Sequence, residues 1–296
     1  MRVTNSMILA STLRDLNGSL NRLQRSQTEL STGRLINRPS DDPTKATQAM
    51  SLRTQGRVGT HRQRAAEDAS GWLDTAGSTL MSGLDLMSRV KELTVQAANS
   101  GASTAQSRGA IASEMRSLRD ELIAMANTKY IDRPVFNGTA SGQAYDPTTG
   151  AYLGNDATVV REVSPDTTVN VNMTGETVFG TQSAPEGDLF AVLGRLATAI
   201  ETGDNAAITA EHTNTDNARL RMTQAVGELG SRAARVEAIR SRNELQKERL
   251  LQSLSEVEDA DLAQSLINVK ARENAYTAAL QAAAKVIPPS LVDYLR

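Results

Sequence analysis

The chain has 296 residues, enough for two ordinary domains or for one elongated helical protein carrying an insertion. Hydrophobic residues make up 39 % and aromatics only 3 %, which argues against a thick enzyme-like core and for thin helical bundles. A formal charge of −2 gives no electrostatic case for nucleic acid or membrane, and the absence of cysteine removes disulfides, thiolate chemistry and cysteine metal sites.

No run approaches the ~18 consecutive apolar residues of a membrane span. Met1–Asn5 shows neither an apolar core nor a small-residue cleavage site, so any export is expected to avoid the ordinary signal-peptide route. Along residues 8–30, Leu9, Leu13, Leu16, Leu20, Leu23, Gln27 and Leu30 step by four and three, which places them on one seam of an α-helix. Gly33 can end that helix in a left-handed stop. Pro39 and Pro43 bar a continuous helix through 34–43, and Asp42-Pro43 reads as an N-cap followed by proline at the first helical position.

A long helix is predicted over 44–99, with Leu73, Ala76, Leu80, Met87, Val90 and Ala97 on its later seam. Glycines 56, 59, 71, 77 and 83 each weaken it by about 1 kcal/mol relative to alanine where exposed, which points to close helix packing or a kink. Trp72, the single tryptophan, reads as a packing anchor. Asn99-Ser100-Gly101 is a stop, and Ser103 or Thr104 caps a second helix over 105–128 with Ile111, Met115, Leu118, Leu122 and Met125 on one face. Together they form a helical hairpin.

From Asp132 the texture changes. Residues 138–187 hold one basic side chain against six acidic ones, with many Gly, Thr, Asn and Pro. Strands are predicted at 158–163, 169–173 and 176–179, in a small, surface-exposed, β-rich insertion. Asp188 caps a helix over 189–202. After Gly203-Asp204 a last long helix carries Val226, Leu229, Ala233 and Val236, then Leu250, Leu254 and Val257. A slip follows, and then Leu262, Leu266, Val269, Tyr276, Leu280, Ala283 and Ile287, a shift that reads as a stutter in a continuous helix.

A one-sided stripe on a helix this long needs another long helix, from the same chain or from another copy. The two end seams are therefore expected to pair, and both termini to be largely disordered in the isolated monomer and ordered in a larger assembly. The fold class is mainly α: an elongated helical bundle with N- and C-terminal coiled-coil helices and a small β-rich insertion. Its segments are 1–43 (coiled-coil segment and linker), 44–137 (helical hairpin of a middle domain), 138–187 (insertion), 188–248 (remainder of the middle domain) and 249–296 (coiled-coil segment).

No catalytic constellation stands out, and no cofactor or metal is implied. His61 and His212 lack carboxylates at zinc-site spacing and read as helix-surface histidines. There is no Gly-x-Ser-x-Gly elbow and no glycine-rich phosphate loop. Glu256, Glu258, Asp259 and Asp261 read as a solvated charged face rather than a cation site. Residues 1–67 carry eleven basic and five acidic side chains, but they have neither a dense basic run nor interleaved aromatics, so nucleic acid is not the expected partner.

Four blocks in order resemble the bacterial flagellin family. They are Leu30-Ser31-Thr32-Gly33 running on to Asp41-Asp42-Pro43, Arg89-Val90-Lys91-Glu92-Leu93-Thr94-Val95-Gln96, Phe136-Asn137-Gly138, and Ser255-Glu256-Val257-Glu258-Asp259-Ala260-Asp261. The Pro288-Pro289 tail differs from the Gln/Ala/Leu-rich ends of filament flagellins and is similar to the family's hook-associated members. The resemblance implies a secreted, non-enzymatic axial component of the flagellum, exported by the type III route. Its implied partners are a homo-oligomeric ring of identical subunits, another hook-associated protein on the hook side, filament flagellin on the distal side and an export chaperone, with no nucleic acid or membrane. It implies an assembly interface at Leu9, Leu13, Leu16, Leu20, Leu23, Leu30, Leu262, Leu266, Val269, Tyr276, Leu280 and Ile287. It also implies an inter-layer linker with Gly33, Asn37, Pro39, Asp41, Asp42 and Pro43, and an immune-receptor surface around Arg89, Leu93 and Glu114.

Overall fold

A computed structural model describes residues 5–99, 104–165 and 167–286. Among these residues the helices are α1 (Asn5–Thr32), α2 (Pro43–Asn99), α3 (Ala105–Ala126), α4 (Gly175–Phe179), α5 (Leu189–Thr202), α6 (Asn205–Glu258) and α7 (Leu262–Val286). Strands β1 (Lys129–Tyr130) and β2 (Arg133–Pro134) form one antiparallel pair, and β3 (Val160–Ser164) and β4 (Thr167–Asn170) another. Mainly helical with small β elements, the chain divides into two compact units, Met1–Val58 with Gln246–Arg296, and Gly59–Leu245.

The first unit gathers both ends of the chain, and α1 and α7 pack against each other within it. Its border lies at Val58, not at the expected residue 43. The opening turns of α2 belong to it because Ala46 and Ala49 are buried there and Arg53 reaches Glu258 on α6. On the C-terminal side the border falls at 245/246, close to the expected 248/249.

The second unit is built on the predicted seams. Leu73, Ala76, Leu80, Met87 and Val90 of α2 are buried in one core with Ile111, Met115 and Leu122 of α3 and with Met222, Leu229 and Val236 of α6. Hydrophobic α5 packs directly on α3. Two of the five glycines in α2 have a packing reason. A Cβ on Gly71 would lie 2.5 Å from the Tyr130 hydroxyl, and one on Gly83 would lie 2.7–2.8 Å from Met125 and Met222, whereas Gly56, Gly59 and Gly77 face open space. Trp72 is buried, edge-on to Tyr130 at 5.7 Å, in the packing role the sequence assigned to it.

The insertion departs from expectation twice. It is not a surface appendage, because Val159, Val163, Val169, Val171 and Met173 are buried in the main core. Helices clasp it from both sides. Arg161 pairs with Asp68 of α2 at 2.7 Å, Arg232 of α6 donates to the carbonyls of Asn170 and Asn172, and Asn243 of α6 donates to Val163 O. The third expected strand, 176–179, is helix α4: Val178 and Phe179 are adjacent yet both fully buried, which a strand facing one layer cannot achieve. The scarce aromatics are concentrated at this spot, with Phe136, Tyr145, Phe179 and Phe190 meeting at centroid distances of 4.8–5.6 Å.

The β1–β2 hairpin turns through Ile131 and Asp132, both left-handed at φ 43° and 64°. A two-residue hairpin of the right twist needs that geometry and favours Asn-Gly in it. A β-branched residue there costs about 1–2 kcal/mol.

Helix α5 begins at Asp188, whose Oδ1 accepts the Ala191 N–H at 2.8 Å while the residue is 1 % exposed. Burial holds its carboxyl above the usual Asp range. A raised folded pKa makes the acid form the stabilising one, so this contribution is full below the unfolded value of about 3.9 and is lost as pH climbs through the folded value. Asp188→Asn keeps the cap without the charge. At pH 7 it is expected to be at least as stable as the native chain, with that advantage shrinking toward pH 4, whereas Asp188→Ala is expected to lose about 1 kcal/mol. Thermal unfolding at several pH values checks both variants.

Candidate functional site

The unit formed by the chain ends is organised by a clasp. Helix α1 stops at Gly33, which takes φ +66°. The next residues cross the end of α6: Leu35 N–H donates to Glu258 O at 2.8 Å and Ala260 N–H donates to Gly33 O at 2.9 Å, so that Arg34 and Asp259 form an antiparallel bridge. The 34–43 segment is a built turn. Asp41 Oδ2 accepts the N–H groups of Asn37 and Arg38, the Asn37 amide donates to Arg34 O, and Asp42 Oδ1 caps α2 through Lys45 N–H at 3.0 Å. Gly33, Asn37, Pro39, Asp41, Asp42 and Pro43 thus all lie inside one compact unit and join α1 to the start of α2.

The Ser255–Asp261 block forms the other half of the clasp, and here the single-helix expectation is corrected. Helix α6 ends at Glu258 and α7 begins at Leu262, because the backbone at 258–260 bonds to 33–35 instead of continuing its helical ladder. Asp261 restarts the helix, accepting the N–H groups of Ala263 and Gln264 at 2.9 and 3.1 Å. The expectation of a solvated acidic face is also corrected at one residue. Glu258 is 3 % exposed and takes Arg53 Nη2 at 2.7 Å, while Glu256, Asp259 and Asp261 are exposed.

The seam residues separate into two groups. On α1, Leu23 is buried and Leu16, Leu20 and Leu30 are half-buried, while Leu9 and Leu13 are 41 % and 49 % exposed. On α7 the sheltered line is Ser265, Val269, Tyr276, Ala279 and Ala283, at steps of four, seven, three and four. Leu262, Leu266 and Leu280 lie beside that line and are 58 %, 51 % and 41 % exposed. A leucine zip within one chain between these residues and Leu9 and Leu13 is therefore not what the structure contains. The small Ser265, Ala279 and Ala283 on the sheltered face let a second helix approach closely there, while three leucines lie outside it. Ile287 and the Pro288-Pro289 tail lie outside the described residues.

The receptor-surface reading is corrected at Leu93, which is 1 % exposed and belongs to the core. Arg89 and Glu114 are exposed and paired with each other at 2.7 Å across α2 and α3. Among the described residues no three His, Asp or Glu side chains are grouped to hold a metal ion, and no helix is long and apolar enough to cross a membrane. His61 is exposed, and His212 is half-buried with Nδ1 3.5 Å from Asp216. Sequence reasoning missed Arg53 and Glu258 as partners. The only available signal was a carboxylate placed next to buried Val257.

Residues 3–141 match the bacterial flagellin N-terminal helical region. Among characterised proteins the chain is 26 % identical over 214 residues to flagellar hook-associated protein 3 of Salmonella typhimurium, spanning 68 % of this chain and 67 % of that protein. It is 25 % identical over 281 residues to the flagellin of Bacillus subtilis, spanning 90 % of each. A solved structure of a putative flagellar hook-associated protein from Vibrio parahaemolyticus superposes with a TM-score of 0.68 at 20 % identity, covering 74 % of this chain and all of the other, which shows a shared fold.

Removing Arg53 leaves the Glu258 carboxylate buried without its cation. A wholly buried pair loses 3–5 kcal/mol on such a cut; with Arg53 about half exposed, Arg53→Ala is expected to cost on the order of 2 kcal/mol. Adding Glu258→Gln should recover much of that loss, since the stranded charge is gone. Circular dichroism during urea unfolding checks the cycle, and strictly additive losses would count against the pair.

Proposed function

We infer that this chain, a flagellin-like protein whose residues 3–141 are the family's N-terminal helical region, is a structural axial component of the bacterial flagellum and sits where hook meets filament. The observation that carries this reading is the exposed leucine ridge on both end helices. A chain that brings its ends together through a clasp yet leaves Leu9, Leu13, Leu262, Leu266 and Leu280 in water is arranged to be completed by neighbours. Contiguous apolar surface of this kind marks interaction sites. Burying the remaining half of each of these five side chains is worth about 1 kcal/mol apiece.

In this account, identical subunits stack side by side in a ring and bury one another's ridges. A second hook-associated protein lies on the hook side and filament flagellin on the distal side. The chain leaves the cell through the flagellar type III apparatus with an export chaperone covering its end helices, a passage that the cysteine-free sequence suits, because no disulfide can trap it midway. Its work is done by interfaces rather than by catalysis. The clasp fixes where α1 ends and where α7 begins, and with them the surface offered to the ring.

A strain lacking the gene is expected to build hooks without filaments and to release filament subunit into the medium. Filaments of normal length on its hooks would overturn the junction reading. Bare hooks with no filament subunit in the medium would make the chain the filament subunit itself.

A further inference from the structure

The tip of the β1–β2 hairpin has no explanation within the chain. Ile131 holds a left-handed backbone that branched side chains avoid, and its side chain is 73 % exposed, the most exposed large apolar residue described. The tip is also rigidly mounted. Tyr130 packs on Trp72 and against Gly71, Pro134 is buried, and Val135 N–H donates to Thr128 O at 3.0 Å. Asparagine or glycine would relieve the backbone and remove an apolar group from water, so folding alone does not favour isoleucine here. Lys129, Asp132 and Arg133 flank it, all exposed, so the tip carries a net charge of +1.

The chain also carries a surface complementary to this knob. On α2, Asp74, Ser78, Met81 and Asp85 fall within about 60° of one another around the axis. All four are exposed, with Met81 at 56 %. The strip places a bare thioether side chain beside a small serine and between two carboxylates about 16 Å apart along the helix. An isoleucine on a tip of net positive charge, with Lys129 and Arg133 outnumbering Asp132, matches it in polarity and is opposite to it in sign of charge.

We propose that Ile131 is a docking knob that seats one copy of this chain on the Asp74–Asp85 strip of α2 in a second copy. This rests on the self-assembly argued under Proposed function and adds a contact made by the central unit to those made by the chain ends. Knob and strip are different surfaces, so the contact is heterologous and propagates from copy to copy, as a ring requires.

The cysteine-free chain makes the test direct. Full-length Ile131→Cys is mixed at high concentration with full-length Met81→Cys under mild oxidation. As a control it is mixed with Val95→Cys, a residue that is 43 % exposed on the same helix. A disulfide needs the two Cα atoms within about 7 Å, so the Met81→Cys mixture should give at least about tenfold more mixed dimer than the control. In parallel, Ile131→Asn should raise the thermal midpoint and weaken self-association. Equal yields with Met81→Cys and Val95→Cys, a predominance of Ile131→Cys dimers with themselves, or unchanged self-association in Ile131→Asn would each overturn the proposal. The gene-deletion phenotype is independent of these results, so a failed knob and a failed junction reading are told apart.

Discussion

Two helices lying side by side can each hide only one strip. That geometric limit governs the unit made from the chain ends. Helices α1 and α7 carry more apolar surface than one mutual contact can cover, and the surplus includes leucines on both. What α7 shelters is a line of serine, alanine, valine and tyrosine; what it leaves in water is leucine and isoleucine. In a closed globule the preference runs the other way, since the largest apolar groups gain most from burial. The inversion is physically sensible if the close α1–α7 approach forms first and the leucines are held for a third and fourth helix from other copies.

The clasp makes that arrangement possible. Gly33, Arg34 and Leu35 meet Glu258, Asp259 and Ala260 through backbone hydrogen bonds, and Arg53 neutralises the buried carboxylate of Glu258. Backbone pairing is indifferent to side-chain size, so it can fix where α1 ends and α7 begins without consuming any of the apolar ridge. Burial on α1 follows the same logic. It is greatest at Leu23 and Ser26, in the half of the helix that leads to the clasp, and falls away toward the other end, where Met7, Leu9 and Leu13 are exposed.

Much of this was legible in the residues, and the failures have physical causes. The seams of α2, α3 and α6 were readable because a buried helix face repeats every three or four positions, and Asp42-Pro43, Thr104 and Asp188 announced their helices through capping chemistry. The heptad rhythm on α7 was real but left its partner open: periodicity reports which residues share a face, not which face the same chain covers. The break at 259–261 looked like a stutter because no proline or glycine marks it. It is imposed by hydrogen bonds to residues more than two hundred positions away, which local patterning does not encode. The insertion looked peripheral because its composition is polar, yet five of its six valines are buried, its Arg161 pairs with Asp68 of α2, and its carbonyls are bound by Arg232 and Asn243 of α6. Ile131 was invisible to pattern reading because its conformation, not its identity, sets it apart.

The central claim is that the outer ridges of α1 and α7 are finished only by neighbouring subunits. Amide hydrogen exchange on the full chain, first dilute and then assembled, tests it most directly. The account predicts that in dilute solution the amides around Leu23 to Leu30 and Glu258 to Ser265 exchange slowly, that those of Met7 to Leu16 and Lys270 to Leu280 exchange quickly, and that assembly slows the second group. Strong protection along the whole of both helices in the dilute chain, unchanged on assembly, would contradict it.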